Sequence, residues 1–445
     1  MRFSLEIPLD MRREPVPVML TAPGRTLRTA FVGTYPPRQC GIATFTYDLA
    51  AAVRAAEPAP ARWATWERPG HGRPATTTDI VAIDYEERDF PNEVRHRLDP
   101  ERPSDYLRVA DRLNRAGYDV VSLQHEFGIY GGADGERVLD LLDELEIPVV
   151  VTLHTVLRRP SDHQRRVMRR IVRSAARVVV LSHASAATLA SVYEVDPADI
   201  QMIPHGVPDL PFVDPETVKP LVGLAGRPAV LSFGLLGPGK GYELAIRAMS
   251  TVIDRSPAAS YVILGATHPE LRRREGEAYR ESLKALVGEL GLEDHVRFVD
   301  AFVDLPTLGR WMQAADVFVT PYPGAEQAVS GTLAYALGTG KALVSTPYAY
   351  AEELLGEGRG RLVPFGDSQA LGAEIGNFLT DGPRRDEARR RAYAYGRRMT
   401  WQTVGRQYLG LFARVASGSG VSGRHVNPGS GLAVAPLDRE RTSLG

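Results

Sequence analysis

Five loops of this chain combine glycine with histidine, lysine or small hydroxyl side chains, and each directly follows a short β-branched run. That placement matters because ligands of a doubly wound sheet bind beyond the carboxyl ends of its strands. The first loop, GTYPPRQCGIATF from Gly33 to Phe45, leads from a strand into a helix. Gly41 lets the backbone come close to a ligand, the free N–H groups of the helix start favour an anion, and Arg38 and Gln39 add donors. An ordinary strand-to-helix turn would carry the same residues. The second and third loops hold His125 and Glu126 (QHEFGIYGG) and His154 (LHTV). Histidines at successive strand ends are expected to face one crevice. Nothing fixes a third ligand or a spacing for a metal, so no metal site is assigned.

The fourth loop, SFGLLGPGKGYE from Ser232 to Glu243, reads as a phosphate cradle. Gly237, Gly239 and Gly241 permit a kinked backbone, and Lys240 at the helix start brings a compact positive charge. Only four of the 53 basic residues are lysines, which marks this one out. Gly234, Gly239 and Lys240 come near a Walker A loop, yet Gly241 stands where that loop needs a hydroxyl for magnesium, which weakens an ATPase reading. In the fifth loop, Pro321 to Leu355, Ser330, Gly331 and Thr332 open a helix whose N–H groups point into the cleft, with Glu326 and Gln327 just before it. A capped helix behind a solvated acidic loop is the plain structural alternative.

Two series of strands must carry these loops. The first is expected at Arg28 to Gly33, Asp79 to Ile83, Asp119 to Gln124, Pro148 to Leu153, Arg177 to Leu181 and Ile200 to Ile203. The second is expected at Ala229 to Phe233, Tyr261 to Leu264, Val296 to Phe298, Val317 to Thr320, Ala342 to Ser345 and Arg361 to Val363. Amphipathic stretches between them give repeated βαβ units, an α/β architecture of two doubly wound domains. Asp134 is expected to cap a helix from Gly135 to Glu146. The organisation that follows is a tail over 1–25, a first domain over 26–205, a Pro-rich linker over 206–218 and a second domain over 219–398. A helix over 399–415 returns to the first domain, and a Gly/Ser/Pro-rich tail runs over 416–445.

Bulk composition narrows the partners. At 445 residues the chain suits two cores, and a formal net charge of -1 gives no reason to expect nucleic acid. Cys40 is the only cysteine, so neither an intramolecular disulfide nor a thiolate zinc site can form, which fits a reducing cytoplasm. No signal-peptide core and no run of eighteen apolar residues is present; peripheral membrane contact stays open, and oligomeric state is not set by the sequence.

Taken in order, the loops resemble glycosyltransferase family 4, the retaining enzymes of the GT-B fold, from about Arg28 to Val415. PPRQCGIATF is similar to the family's N-terminal glycine loop, TLHTV to its strand-end histidine, and IPHGV to its Ile-Pro-Asn-Gly-Val turn. FGLLGPGKG resembles the phosphate loop, and AYALGTGKALVSTP the donor helix and next strand. The resemblance implies a nucleotide-sugar donor, with His154 at the transferred sugar, Lys240 at the diphosphate and the Ser330 to Thr332 amides at the distal phosphate. Glu326 or Gln327 would orient sugar hydroxyls. Gly41, Gly237 and Gly239 would line the donor, and Arg38, Gln39, His125 and Glu126 the acceptor or sugar. Three positions depart from the family pattern: Leu235 where an arginine is frequent, and Gln327 and Tyr335 where paired glutamates stand eight apart.

The implied reaction is hexose transfer to a saccharide or other hydroxyl acceptor. No Asp-x-Asp triplet occurs, so no metal clamp and no cofactor are expected. A glycosyl phosphorylase, a sugar-nucleotide epimerase and a non-catalytic nucleotide-sugar binding protein are the alternatives on the same architecture.

Overall fold

The computed structural model describes residues 26–56 and 76–418. Strands β1 (Leu27–Gly33), β2 (Thr76–Ile83), β3 (Val94–Leu98), β4 (Val120–His125), β5 (Val149–Leu153), β6 (Arg177–Val180) and β7 (Ile200–Met202) form one parallel sheet in the order β3-β2-β1-β4-β5-β6-β7. Strands β8 (Ala229–Phe233), β9 (Ser260–Leu264), β10 (Val296–Val299), β11 (Val317–Thr320), β12 (Ala342–Ser345) and β13 (Gly360–Leu362) form a second, in the order β10-β9-β8-β11-β12-β13. The central strands are near-continuous apolar runs because helices cover both faces. The order reverses once in each sheet, between β1 and β4 and between β8 and β11, and those reversals open the crevices where ligands bind.

Two expectations need correction. Strand β3, VRHRL, is an addition to the expected series: it carries two arginines and a histidine and lies on the sheet edge, paired among the described residues only to β2, where charge is tolerated and guards against further pairing. Asp134 caps no helix of its own. It sits at φ 50° inside a 3₁₀ turn, Ala133–Gly135, and the helix begins later, as Val138–Glu144. Its carboxylate accepts instead from Gln164 Nε2 at 3.1 Å and lies 2.9 Å from His163 Nδ1, at the start of helix Asp162–Ser174. The segments 1–25 and 419–445, expected as tails, lie outside the described residues, whereas Ala416 is the last residue of a helix.

That helix, Trp401–Ala416, packs back on the first sheet. Phe412 meets Phe31 edge-on, with ring centroids 6.0 Å apart, and Tyr408 Oη lies 3.0 Å from Thr152 Oγ1. Gly405 is set against helix Gly41–Ala55, where an added Cβ would come within 2.5 Å of the Ala52 carbonyl. The chain therefore crosses between the halves twice. The crossings are tied side by side, Val207 N donating to Met399 O at 2.8 Å and Trp401 N to Val207 O at 3.0 Å. Glu353 adds a further clamp, accepting from the His183 and Ala184 amides at 3.1 Å each.

Candidate functional site

In the first sheet the parity of the strands decides which histidine reaches the cleft. Side chains alternate along a strand. Val121 and Leu123 on β4, and Val149, Val151 and Leu153 on β5, all point into one core. His125 shares that parity. It is fully buried, its ring 5.1 Å from Phe127 and stacked at 6.1 Å on Tyr130, with neither nitrogen hydrogen-bonded to a described residue. The expectation that two successive strand-end histidines share a crevice fails here for that reason. His154 has the opposite parity and lies on the cleft side, partly buried. Glu126 does not open toward a ligand either: it accepts from Thr155 Oγ1 at 2.6 Å and from the Phe127 amide at 3.0 Å, and burial raises its pKa.

His154 is held on two sides. The Gln124 amide nitrogen donates to Ser122 Oγ at 3.2 Å, so Gln124 Oε1 is left to accept from His154 Nε2–H at 3.1 Å. Phe45 stands edge-on to the imidazole, 4.6 Å away. Burial, followed by repulsion from His205 and His125, lowers the His154 pKa to about 3. The ring is neutral at pH 7, and Nδ1 is an acceptor with no partner among the described residues. The first loop frames the same cleft. Cys40 caps helix Gly41–Ala55 through a sulfur that accepts from the Ala43 amide at 3.3 Å, a structural task. Open space lies in front of Gly41, Gln39 is exposed, and Arg38 donates to the Ile83 carbonyl at 3.3 Å while covering the Tyr85 ring.

In the second sheet the loop after β8 makes a 3₁₀ turn, Pro238–Lys240, and helix Tyr242–Arg255 starts only beyond Gly241. Lys240 therefore ends that turn, ahead of the helix, instead of opening the helix as expected. Gly241 is the glycine the turn requires, at φ 69° with an added Cβ only 2.0 Å from the Pro321 carbonyl. Gly237 and Gly239 need no left-handed backbone; they leave open space above the loop. Lys240 Nζ lies 4.8 Å from the Tyr322 ring centroid and has no carboxylate partner among the described residues. Tyr322 Oη in turn lies 3.1 Å from Ser330 Oγ and 3.0 Å from Thr332 Oγ1. Ser330 caps helix Gly331–Gly338 by accepting from the Leu333 amide at 3.2 Å, which leaves the Gly331 and Thr332 amides without a partner among the described residues.

Several contacts cross the cleft. His205 packs so closely on the donor-side helix that a Cβ on Gly331 would stand 2.9 Å from its Nε2. Tyr335 reaches over to the first domain and donates its hydroxyl to Asp48 Oδ2 at 2.8 Å. Burial raises the Asp48 pKa to about 6 despite that hydrogen bond. Glu326 lies exposed on the rim, 4.0 Å from Arg159 Nε, and Gln327 donates to the Val329 carbonyl at 2.7 Å. Neither is drawn into the cluster around Lys240. A larger cavity of about 350 Å³ lies at the other end of the second sheet, beside Asp214, Asp316 and Arg389. Two of its lining charges are held in ion pairs, Asp316 with Lys219 at 2.8 Å and Arg389 with Asp386 at 3.3 Å, and it lies toward the amino ends of the strands.

Two family models match consecutive parts of the chain, Glycosyltransferase Family 4 over residues 40–209 and Glycosyl transferases group 1 over residues 227–381. The chain belongs to glycosyltransferase family 4. This glycosyltransferase is 28% identical over 328 residues to a phosphatidyl-myo-inositol mannosyltransferase of Mycolicibacterium smegmatis, covering 72% of this chain and 77% of that one. It is 27% identical over 333 residues to a D-inositol 3-phosphate glycosyltransferase of Arthrobacter sp., covering 71% and 75%. Among solved structures, sucrose-phosphate synthase from Thermosynechococcus elongatus superposes with a TM-score of 0.71 at 18% identity, over 88% of this chain and all of the other. Anabaena HepE in complex with UDP gives 0.65 at 18% identity, over 86% and 98%. Both likenesses establish the GT-B fold.

Reading the glycosyltransferase loop by loop misses His205, Asp48 and Gln124. His205 had a signal in the sequence, since it stands in IPHGV where the family turn has asparagine. Asp48 had none, lying in the middle of a helix, whereas Gln124 closes the expected strand Asp119 to Gln124 and opens the QHEFGIYGG loop. No described helix is long and apolar enough to cross a membrane.

Proposed function

We propose that the enzyme transfers a hexose from a nucleotide-diphosphate sugar to a hydroxyl of a saccharide-type acceptor, with retention at the anomeric carbon and without a bound metal. One observation carries this reading: Lys240, with no carboxylate partner among the described residues, lines one small cavity with Thr332, at a helix start whose Gly331 and Thr332 amides have no partner among those residues, and a diphosphate would sit there. Fixed donors in a cleft that excludes water interact strongly with charge that develops on a leaving group. The C1–oxygen bond to the diphosphate breaks and its electron pair stays on the phosphate oxygen. The acceptor oxygen bonds to C1 from the same face, and its proton passes to that departing oxygen. His154, neutral and locked by Gln124, offers Nδ1 to a donor-sugar hydroxyl. Arg38 and Gln39 would meet the acceptor side.

The lone cysteine fits a cytoplasmic setting. Names of relatives specify inositol-containing acceptors, so myo-inositol phosphates belong in the acceptor set. The test is turnover with UDP-, GDP- and ADP-linked glucose and mannose, with and without acceptor, in the presence of EDTA. Acceptor-dependent release of nucleoside diphosphate that EDTA leaves intact is the expected result. Release without acceptor, or loss of release in EDTA, would reject it.

A further inference from the structure

The loop after β9 is built into the phosphate cradle as firmly as the loop after β8. Gly234 N donates to Leu264 O at 3.0 Å, Leu236 N to Ala266 O at 2.9 Å, and His268 N back to Leu236 O at 2.9 Å. Leu236 and Thr267 pair as a parallel bridge, and Gly265 sits at φ 158° with room for no Cβ, since one would come within 1.9 Å of the Gly234 carbonyl. The two loops are therefore tied into one unit, and they present Lys240 and His268 on one rim.

The side chain of His268 has one end committed. Its Nδ1 accepts from the Glu270 amide at 3.3 Å and so caps helix Pro269–Glu275. A nitrogen that accepts must carry its lone pair, which puts the ring proton on Nε2. His268 is an exposed residue, and that Nε2–H has no hydrogen-bond partner among the described residues. The surroundings are cationic. After burial, the positive charge of Lys240 depresses the imidazole pKa most, and Arg38, from the opposite side of the cleft, pushes the same way against Glu270. Glu270 is itself taken up by Arg273 at 2.7 Å and Arg274 at 2.9 Å.

Resting on the reading of Lys240 as a diphosphate contact, we infer that His268 is a second donor-binding residue, giving Nε2–H to a phosphate oxygen of the nucleoside diphosphate. It acts as a neutral, directional donor beside the point charge of Lys240. Two substitutions separate this role from the cap. His268→Asn keeps a side-chain oxygen where Nδ1 accepts, because asparagine is among the preferred cap residues, but it has nothing that reaches the Nε2 position. His268→Gln extends an amide donor toward that position.

The experiment is titration calorimetry of wild type, His268→Asn, His268→Gln and Lys240→Ala with UDP, GDP and ADP, each against its nucleoside, alongside thermal melts. For the nucleotide that binds wild type, His268→Asn should weaken the diphosphate about tenfold, the usual worth of a hydrogen bond to a charged group. It should leave the nucleoside and the melting temperature unchanged, and His268→Gln should recover part of the loss. Equal diphosphate affinity in His268→Asn, with Lys240→Ala still weakened, overturns the assignment of His268 alone. A wild-type protein that binds no nucleoside diphosphate overturns the proposed donor as well.

Discussion

The two crevices are built on the same topology and carry opposite chemistry. In the first sheet the functional group is a neutral imidazole whose position is fixed by Gln124 and Phe45 before any ligand arrives. In the second, the groups are an ammonium and helix-start amides, unpaired among the described residues, and a hydroxyl trio of Tyr322, Ser330 and Thr332. One side orients and the other attracts. Such a division suits a reaction in which negative charge grows on one fragment only, because a second charged wall would bind substrate and leaving group alike and gain nothing in rate.

Removing the charged side should do the most damage. Lys240→Ala is expected to lower kcat about 100- to 1,000-fold, the cost of one lost donor to developing charge. Its melting temperature should hardly move, because the ammonium has no carboxylate partner among the described residues. Steady-state kinetics beside a thermal melt decide this, and retained turnover removes Lys240 from the mechanism. His154→Ala tests the orienting side: transfer should fall about a hundredfold through misplacement of the sugar, while affinity for nucleoside diphosphate holds. A variant that lost nucleotide binding to the same degree would erase the contrast between the two crevices.

The contact between the sides titrates. Asp48 holds its proton more tightly when folded, with a pKa raised from 3.8 to about 6 by burial. The stability it contributes is therefore complete below pH 3.8 and is lost as pH rises through 6. Asp48→Asn cannot ionise, so its melting temperature relative to wild type should climb across that window, by an amount on the order of 1–3 kcal/mol in stability, and level off above it. A flat difference would show that the carboxylate has no raised pKa. The smallest effect is expected from Glu326→Gln, under about threefold in kcat/KM, since an exposed pair at 4.0 Å is worth little. A large loss there would return Glu326 to the reacting centre.

Much of this arrangement is legible without coordinates, and the limits have physical causes. Runs such as VVSLQH and VFVT read directly as strands because both of their faces are buried. VRHRL does not, since an edge strand can be polar on much of its surface. The Ser330 cap and the glycine loop carry their geometry in their local sequence. His125 and His154 look equivalent as strand-end residues, yet the alternation of the flanking valines and leucines assigns them to opposite faces, and that signal was available in the text of the chain. Tyr335 and Asp48 lie 287 residues apart, and no local pattern can bring them together. Their pairing depends on how one domain seats on the other.

The double crossing between the halves has a mechanical consequence. A single connecting segment would let the domains swing, twist and slide. Here the linker at Val207 and the start of the last helix at Trp401 run side by side and exchange backbone hydrogen bonds. Shear or twist would have to break that pairing, whereas rotation about it leaves it intact. Like the pin of a door, such a pair favours rotation that opens and closes the cleft over motions that shear or twist it.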